Sequence, residues 1–381
     1  MGNDKKKKLR FSNFATSLVL FAIGALCGWL LMKYGISEGE GEIGFGKRFL
    51  LVLASLIFAI ISIIVHIILH ELGHMVFGLI SGYKFSSFRV FSFMWLKSDG
   101  KIEVKRLSIA GTAGQCLMSP PDMRDGKLPV VLYTFGGVIM NLLVSSAFLA
   151  AWFAIPPIPV LKDAIFIFAL VGYLLGLMNG LPVHTAVIDN DGYNAIALAR
   201  SFDARRAFWI QMKINEEISR GVRLKDMPDE WFVMPGDDAM KNSMVAATAV
   251  FACNRMMDAG RFEEADSAMQ HVLKIDSGIV GLHRALLVYD RIFVELIGEN
   301  RRTAVEALRS EQIEKIADQM KNFPSVIRTR YAIALLHDKN DEEAERILAH
   351  FNYCASRYPY KSDIDSEREL IEAARSANAN K

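Results

Sequence analysis

Four long apolar stretches limit what this chain can fold into more than any other feature of its sequence. They cover residues 14–32, 49–80, 128–155 and 164 to about 181. A helix needs about 20 predominantly apolar residues to cross the hydrocarbon core of a bilayer, and only the fourth stretch is marginal in length. We therefore predict an α-helical polytopic membrane protein with about four spans.

The first apolar stretch has a second interpretation, because the lysines at 5–8 resemble the basic segment of a signal peptide. The apolar run is long, however, and no small-residue cleavage site follows it. We therefore expect the stretch to be retained as a span rather than removed.

Charged residues flank the stretches asymmetrically, with basic residues before the first stretch and Glu38, Glu40 and Glu42 after it. Lysine and arginine concentrate on the cytosolic side of membrane proteins, which places both termini in the cytosol. Cytosolic segments would then carry Lys84, Arg89, Lys97, Lys101, Lys105, Arg106, Arg200, Arg205 and Arg206. The expected location is a prokaryotic cytoplasmic membrane, which the chain crosses several times.

The overall charge and the cysteines exclude other classes of protein. A formal net charge of +2 gives no reason to expect a nucleic-acid partner. The four cysteines are scattered and show no C-x-x-C spacing, so we expect free thiols.

A short alternating segment separates the second and third stretches. Phe91, Phe93 and Trp95 occupy every second position, as residues on one face of a strand do. Asp99-Gly100 is a strong turn signal. We predict a small β-hairpin at 88–109. It either receives an extended peptide segment along its edge or only connects two spans.

The second apolar stretch contains His70-Glu71-Leu72-Gly73-His74, which has the H-E-x-x-H pattern. Residues four apart share a helix face, so both imidazoles can reach one Zn²⁺ while Glu71 handles the attacking water. The alternative is a pair of buried histidines with ordinary hydrogen-bond partners. Ionisable side chains are costly within a membrane and usually functional, which favours the metal site. His66, one turn earlier, is predicted either to support the site without contacting the metal or to serve as an alternative ligand.

Two histidines leave a catalytic zinc short of one protein ligand, so a carboxylate is expected elsewhere. The fourth stretch ends near Asn179 and Pro182, and a proline there breaks the helix and frees backbone groups. Asp189 and Asp191-Gly192 follow, with His184 between them and the proline. The residues alone leave Asp189, Asp191 and His184 open as the third ligand.

Together these motifs resemble the site-two protease family of intramembrane zinc metalloproteases, which pairs an H-E-x-x-H span with a later N-x-x-P-x-x-x-x-D-G segment. His70, Glu71 and His74 match the first element, and Asn179 and Pro182 match the start of the second. Asp191-Gly192 departs from the pattern, since Asp191 follows Pro182 by nine residues where the family has five.

A third element supports the resemblance. Gly137-Val138-Ile139-Met140-Asn141 is similar to the family's G-P-x-x-N motif, with Val138 in place of proline. By resemblance, Asn141 binds the substrate backbone, and a hydrogen bond between neighbouring helices is the alternative role.

The resemblance implies an activity and a set of roles. His70, His74 and Asp191 would hold Zn²⁺, with Asp189 as the alternative carboxylate and Asn179 as a supporting residue. Glu71 would act as the catalytic base. The implied reaction is hydrolysis of membrane-spanning or membrane-associated proteins or peptides, in regulated proteolysis or signal-peptide processing.

The second half of the chain is polar and has helical patterning. Gly260-Arg261-Phe262-Glu263-Glu264-Ala265 resembles the turn of a tetratricopeptide helical hairpin, and Asp341-Glu342-Glu343-Ala344 is a weaker second copy. A generic helical bundle explains two poor copies equally well. The predicted domains are an N-terminal segment at 1–48, a protease core at 49–192, and a cytosolic α-helical domain at 193–381 that binds a protein partner.

Two other functions compete with an intramembrane protease. A membrane-anchored zincin of another class would need a downstream E-x-x-A-D motif, but Phe262 stands where its glutamate should be. A catalytically inactive, metal-binding membrane adaptor would not need Glu71.

Overall fold

The computed structural model describes residues 44–98, 100–109, 111–156, 158–183 and 189–379. The first predicted span, at 14–32, lies outside these residues, and so does His184. The described residues form two compact units.

The first unit consists of the described residues of Met1–Phe77, Leu132–His184 and Asn190–Ala195. Some of its helices extend a few residues beyond these limits. In chain order they are α1 (Phe45–Ile80), α2 (Val130–Thr134), α3 (Gly136–Ala154), α4 (Pro159–Gly180) and α5 (Asp191–Arg200).

Three helices of the first unit are long and apolar enough to cross a membrane. These spans cover Phe49–Ile80, Gly136–Ala154 and Val160–Gly180, with mean hydropathies of 2.9, 1.8 and 2.0. Their apolar side chains are largely exposed, as expected for helices whose outer faces contact lipid. The second, third and fourth predicted spans are confirmed as such helices.

The limits of two spans differ from those predicted. The third begins at Gly136 rather than near residue 128, because Leu128 and Val130 are buried with Leu198 and Ala204 in a core of the second unit. The fourth begins earlier than predicted, at Pro159, because proline suits the first turn of a helix, where no N–H donor is needed.

The second unit contains a four-stranded antiparallel sheet. Its strands are β1 (Lys84–Val90), β2 (Phe93–Ser98), β3 (Lys101–Arg106) and β4 (Gly114–Ser119), in the spatial order β3-β2-β1-β4. β2 and β3 form the predicted hairpin, with Trp95 opposite Val104 and with Gly100 in its turn at a φ of +79°. The sheet is larger than predicted, since β1 and β4 extend it on the other side of β2.

The sheet packs within the core of the helical unit. Met94 and Leu96 on β2 are buried in the same cluster as Ile210 and Ile214. These strands therefore belong to the same compact unit as the helices that follow them in the chain.

The rest of the second unit is helical. Its longer helices are α6 (Phe202–Ser219), α7 (Ser243–Asp258), α8 (Phe262–Lys274), α9 (Gly281–Ile297), α10 (Arg302–Leu308), α11 (Glu311–Gln319), α12 (Pro324–Ala332), α13 (Asp341–Ala355) and α14 (Lys361–Ala379). Short 3₁₀ turns lie at Leu224–Asp226, Asp229–Trp231 and Ala239–Lys241, and a π-helix follows α12 at Ile333–His337.

The two segments that resemble a tetratricopeptide repeat each begin a helix. Gly260 adopts a φ of +69° between α7 and α8, and the buried Ala265 packs on the core. Asn340 caps α13 by accepting from the Glu343 N–H, and Ala344 is buried. The helical class of this region is confirmed, and its membership in the repeat family stays a prediction.

A buried arginine links three helices of the second unit. Arg328 on α12 is 1% exposed, donates from Nη2 to Asp290 on α9, and donates from Nε to Glu367 on α14 at 2.9 Å. Loss of a charge from such a group leaves its partners buried and unpaired, which is strongly destabilising.

Arg328→Met should therefore destabilise the helical unit by about 3–5 kcal/mol, because Asp290 and Glu367 lose their shared counter-charge. Tryptophan fluorescence of the full-length protein in urea would measure this. Arg346→Met is a matched control, since Arg346 pairs with Glu343 on the surface and should contribute at most about 1 kcal/mol. Equal unfolding midpoints for the two variants would contradict the prediction.

Candidate metal centre

Helix α1 places two histidines side by side. His70 and His74 are four residues apart on one helix face, and their Nε2 atoms are 3.2 Å from each other. The ring planes are nearly perpendicular, at 82°. Both side chains are mostly buried, at 12% and 11% exposure. The two nitrogen atoms therefore point to a common position.

Asp191 completes the group from the first turn of α5. Its Oδ2 atom lies 2.9 Å from His70 Nε2 and 3.4 Å from His74 Nε2. The structure thus brings together His70, His74 and Asp191, from two segments of chain 121 residues apart, as a group that could hold a metal ion.

The spacing of these atoms agrees with tetrahedral coordination. Bonds of about 2.0–2.2 Å from Zn²⁺ to nitrogen and oxygen, with tetrahedral angles, separate neighbouring ligand atoms by about 3.3–3.5 Å. The three observed separations are 3.2, 2.9 and 3.4 Å. The residues therefore fit a small divalent ion, and three protein ligands would leave one tetrahedral position for water.

The hydrogen bond of His74 leaves the correct nitrogen for a metal. Its Nδ1 lies 2.9 Å from the carbonyl oxygen of Tyr133, which can only accept. The proton of a neutral His74 therefore resides on Nδ1, and the lone pair of Nε2 faces His70 and Asp191. A backbone carbonyl is a common partner for the second nitrogen of a metal-binding histidine.

Glu71 lies beside the metal ligands on α1. Its side chain is buried, at 8% exposure, and it follows His70 directly in the chain. A buried carboxylate next to a metal site is suited to accept a proton from water.

The ionisation of Asp191 favours metal binding. Burial alone would raise the pKa of this carboxyl, but the charges of protonated His74 and His70 and hydrogen bonds from both rings outweigh it. A bound metal ion would displace these protons and supply the positive charge in their place. The pKa therefore lies well below its usual range. Asp191 is a carboxylate at neutral pH, the form that binds metal.

Asn190 fixes the segment that carries Asp191. Its Oδ1 accepts from the N–H groups of Val183, at 3.1 Å, and Tyr193, at 3.0 Å, so that it caps α5. Its Nδ2 donates to the carbonyl oxygens of Met178, at 2.9 Å, and Leu181, at 2.6 Å. The sequence reasoning missed this role, although asparagine directly before an acidic first turn is a helix-start signal.

Glycines let backbone and rings approach closely around the site. A Cβ atom on Gly137 would lie 2.5 Å from the His70 ring, and one on Gly73 would lie 2.3 Å from the carbonyl oxygen of Gly136. A Cβ on Gly192 would lie 2.2 Å from the carbonyl oxygen of Gly180. Larger residues at these positions would separate α1 from α3, or α5 from the end of α4.

Other residues named from the sequence lie outside the ligand group. Asp189 accepts a hydrogen bond from Ser243 Oγ at 2.6 Å, within the second unit. Asn179 donates to the carbonyl oxygen of Leu175 in its own helix. His66 and Asn141 lie next to each other in the first unit, with Asn141 Oδ1 3.3 Å from His66 Nδ1.

Asp191→Ala should reduce metal content far more than Asp189→Ala, because only Asp191 has an oxygen within reach of both histidines. The measurement is zinc and iron per protein by elemental analysis of the purified full-length chain. The reverse order would make Asp189 the ligand and would contradict the geometry described above.

Comparisons with protein-family models, with curated proteins and with solved structures find no match to this chain. Interpretation of the site therefore rests on its own geometry, a group of two histidines and one carboxylate at a helix apolar enough to span a membrane.

Proposed function

We propose that this protein is an intramembrane zinc metalloprotease, which hydrolyses peptide bonds of membrane-spanning or membrane-associated proteins or peptides. The observation that carries the proposal is the joint position of His70, His74 and Asp191, with Glu71 on the same apolar helix as the histidines.

The donor set supports zinc as the metal. Two imidazoles and one carboxylate are typical of catalytic zinc sites that keep one position open. The same donors also suit non-haem iron, which is why the metal analysis should include both elements. Glu71 favours zinc over iron, because a zinc hydrolase needs a base beside the ion to accept a proton from the attacking water.

In the proposed mechanism, each residue has one task. When bound, Zn²⁺ supplies Lewis acidity that activates water and polarises the peptide carbonyl. Glu71 accepts a proton from the attacking water and transfers it to the nitrogen of the leaving amine. His70, His74 and Asp191 keep the ion in place, and the neighbouring glycines keep the helices close.

The surroundings of the site support a substrate that arrives through the membrane. α1 presents apolar side chains such as Leu56, Ile60 and Ile64 on its exposed surface, where a bilayer would cover them. A transmembrane substrate satisfies its backbone hydrogen bonds internally, so a segment must unwind before water can attack its carbonyl. The helical unit is proposed to bind a protein partner or the substrate's soluble part.

Regulated proteolysis and signal-peptide processing are the two processes that would use such an activity. A metal-binding but inactive membrane adaptor is the alternative function. It would bind the ion with the same three ligands and would show no dependence on Glu71.

Glu71→Gln should retain the metal and reduce cleavage by at least about 100-fold, because the amide keeps the size of the side chain but cannot accept the proton. The assay is cleavage of a model transmembrane peptide by full-length protein in liposomes, together with zinc content. Glu103→Gln is a matched control on the exposed strand β3 and should behave as the wild type. Wild-type turnover by Glu71→Gln would contradict the protease mechanism, and no turnover by any form would favour the adaptor.

A further inference from the structure

A continuous line of buried polar groups runs from the metal ligands into the membrane-spanning helices. His66 on α1 is 0% exposed, and its Nε2 lies 3.0 Å from the carbonyl oxygen of Phe168 on α4. Asn141 on α3 is 1% exposed, with Oδ1 3.3 Å from His66 Nδ1 and Nδ2 3.4 Å from His70 Nδ1. Three helices thus contribute to one chain of contacts that ends at a proposed ligand.

The Phe168 carbonyl determines where His66 carries its proton. A carbonyl oxygen only accepts, so Nε2 of His66 must be the donor. If His66 is neutral, its Nδ1 is then an acceptor and needs a donor from Asn141. A second proton on His66 would instead place a charge deep among the apolar helices, which is costly.

The Asn141 side-chain amide has two orientations of almost the same shape, which differ only in which end is NH₂. If Oδ1 faces His66, both nitrogens of the His66 ring face acceptor oxygens, so the ring needs two protons. The NH₂ group of Asn141 then faces His70 Nδ1, which must accept. The proton of a neutral His70 is therefore on Nε2, and that nitrogen has no lone pair for a metal. With NH₂ toward His66 and oxygen toward His70, both rings are neutral, and each contact of Asn141 and His66 joins a donor to an acceptor.

In the second orientation, Asn141 accepts from His70 Nδ1–H, and the lone pair of His70 Nε2 faces Asp191 and His74. His74 reaches the same protonation pattern through the Tyr133 carbonyl. Both histidines would then present unprotonated Nε2 atoms to one position, as metal binding requires.

We propose that His66 and Asn141 are positioning residues, which set the protonated nitrogen of His70 so that its Nε2 binds the metal. The proposal rests on the metal site proposed above and adds how one of its ligands is prepared. His66 acts through Asn141, and neither residue touches the ion.

Both imidazole rings pack directly against a glycine of a neighbouring helix. A Cβ atom on Gly172 would lie 2.2 Å from the His66 ring, and one on Gly137 would lie 2.5 Å from the His70 ring. Any residue larger than glycine at these two positions would displace an imidazole from its place between the helices.

The test compares zinc affinity of full-length variants by competition with a chelator. Asn141→Leu and His66→Leu should bind zinc roughly 10–100-fold more weakly, the usual effect of losing a group that orients a metal ligand. Asn141→Asp should keep or increase the affinity, because a carboxylate oxygen still accepts from His70 Nδ1–H. Wild-type affinity in both leucine variants would overturn the proposal.

Ser145→Ala is the matched control. Ser145 lies one turn after Asn141 on α3, is fully buried, and its hydroxyl has no hydrogen-bond partner within the described part of the chain. Its removal should leave zinc affinity unchanged. A loss equal to that of Asn141→Leu would mean that packing alone explains the effect, and would overturn the positioning role.

Nitrogen NMR of the zinc-loaded protein with ¹⁵N-labelled histidine gives a readout that packing would not change. The chain has eight histidines, and single substitutions identify the signals of His66 and His70. His70 should carry its proton on Nδ1 and bind through Nε2, whereas binding through Nδ1 would overturn the proposal. If the wild type binds no zinc, the proposed function itself fails. If it binds zinc and cleaves peptide while the leucine variants keep full affinity, only this inference fails.

Discussion

Ionisable and amide side chains inside apolar helices need partners within the protein, and this constraint governs the surroundings of His70 and His74 in the first unit. Helix α1 carries His66, His70, Glu71 and His74 on an otherwise apolar segment. Water is scarce in the hydrocarbon region, so an unpaired donor or acceptor there costs several kcal/mol. The buried faces of α3 and α4 meet this requirement with the Asn141 amide and the Phe168 carbonyl, and the Tyr133 carbonyl serves His74.

Such pairing requires that helix backbones come close together. Membrane helices gain little from burying apolar side chains against one another, because lipid is equally apolar, and small residues at their contacts allow tight packing. Gly73 and Gly136 place α1 and α3 in backbone contact, and Gly172 admits the His66 ring against α4. The buried hydrogen bonds therefore require the glycines, because only close helix backbones bring these polar groups within reach of one another.

Sequence reasoning succeeded where a pattern reflects one dominant physical requirement. Apolar length predicted four spans, of which three are confirmed as helices able to span a membrane and the first lies outside the described residues. The four-residue spacing of His70 and His74 predicted a shared face. It failed where distant segments compete. Leu128 and Val130 are apolar enough for a span, yet they are buried against residues of the second unit. Similarly, β1 and β4 pair with each other although β2 and β3 lie between them in the chain. A turn signal in the sequence marks only the β2–β3 hairpin.

The resemblance favoured Asp191 over Asp189 as the third ligand, but local physical chemistry alone gave no basis for that choice. Both are carboxylates near a broken helix, and only three-dimensional placement separates them. Asp189 accepts from Ser243, whereas Asp191 faces the histidines. Asn190 between them went unnoticed, because its four hydrogen bonds to the end of α4 and the start of α5 exist only after both helices have formed.

The wide separation of the ligands along the chain has a consequence for biosynthesis. A ribosome completes the segment with His70 and His74 long before it reaches Asp191, and N-terminal parts of a protein emerge and fold first. A nascent chain that already contains both histidines still has an incomplete donor set. The proposed centre would therefore be completed late, after α3 and α4 have been synthesised, so partly made or prematurely terminated chains would carry no finished centre.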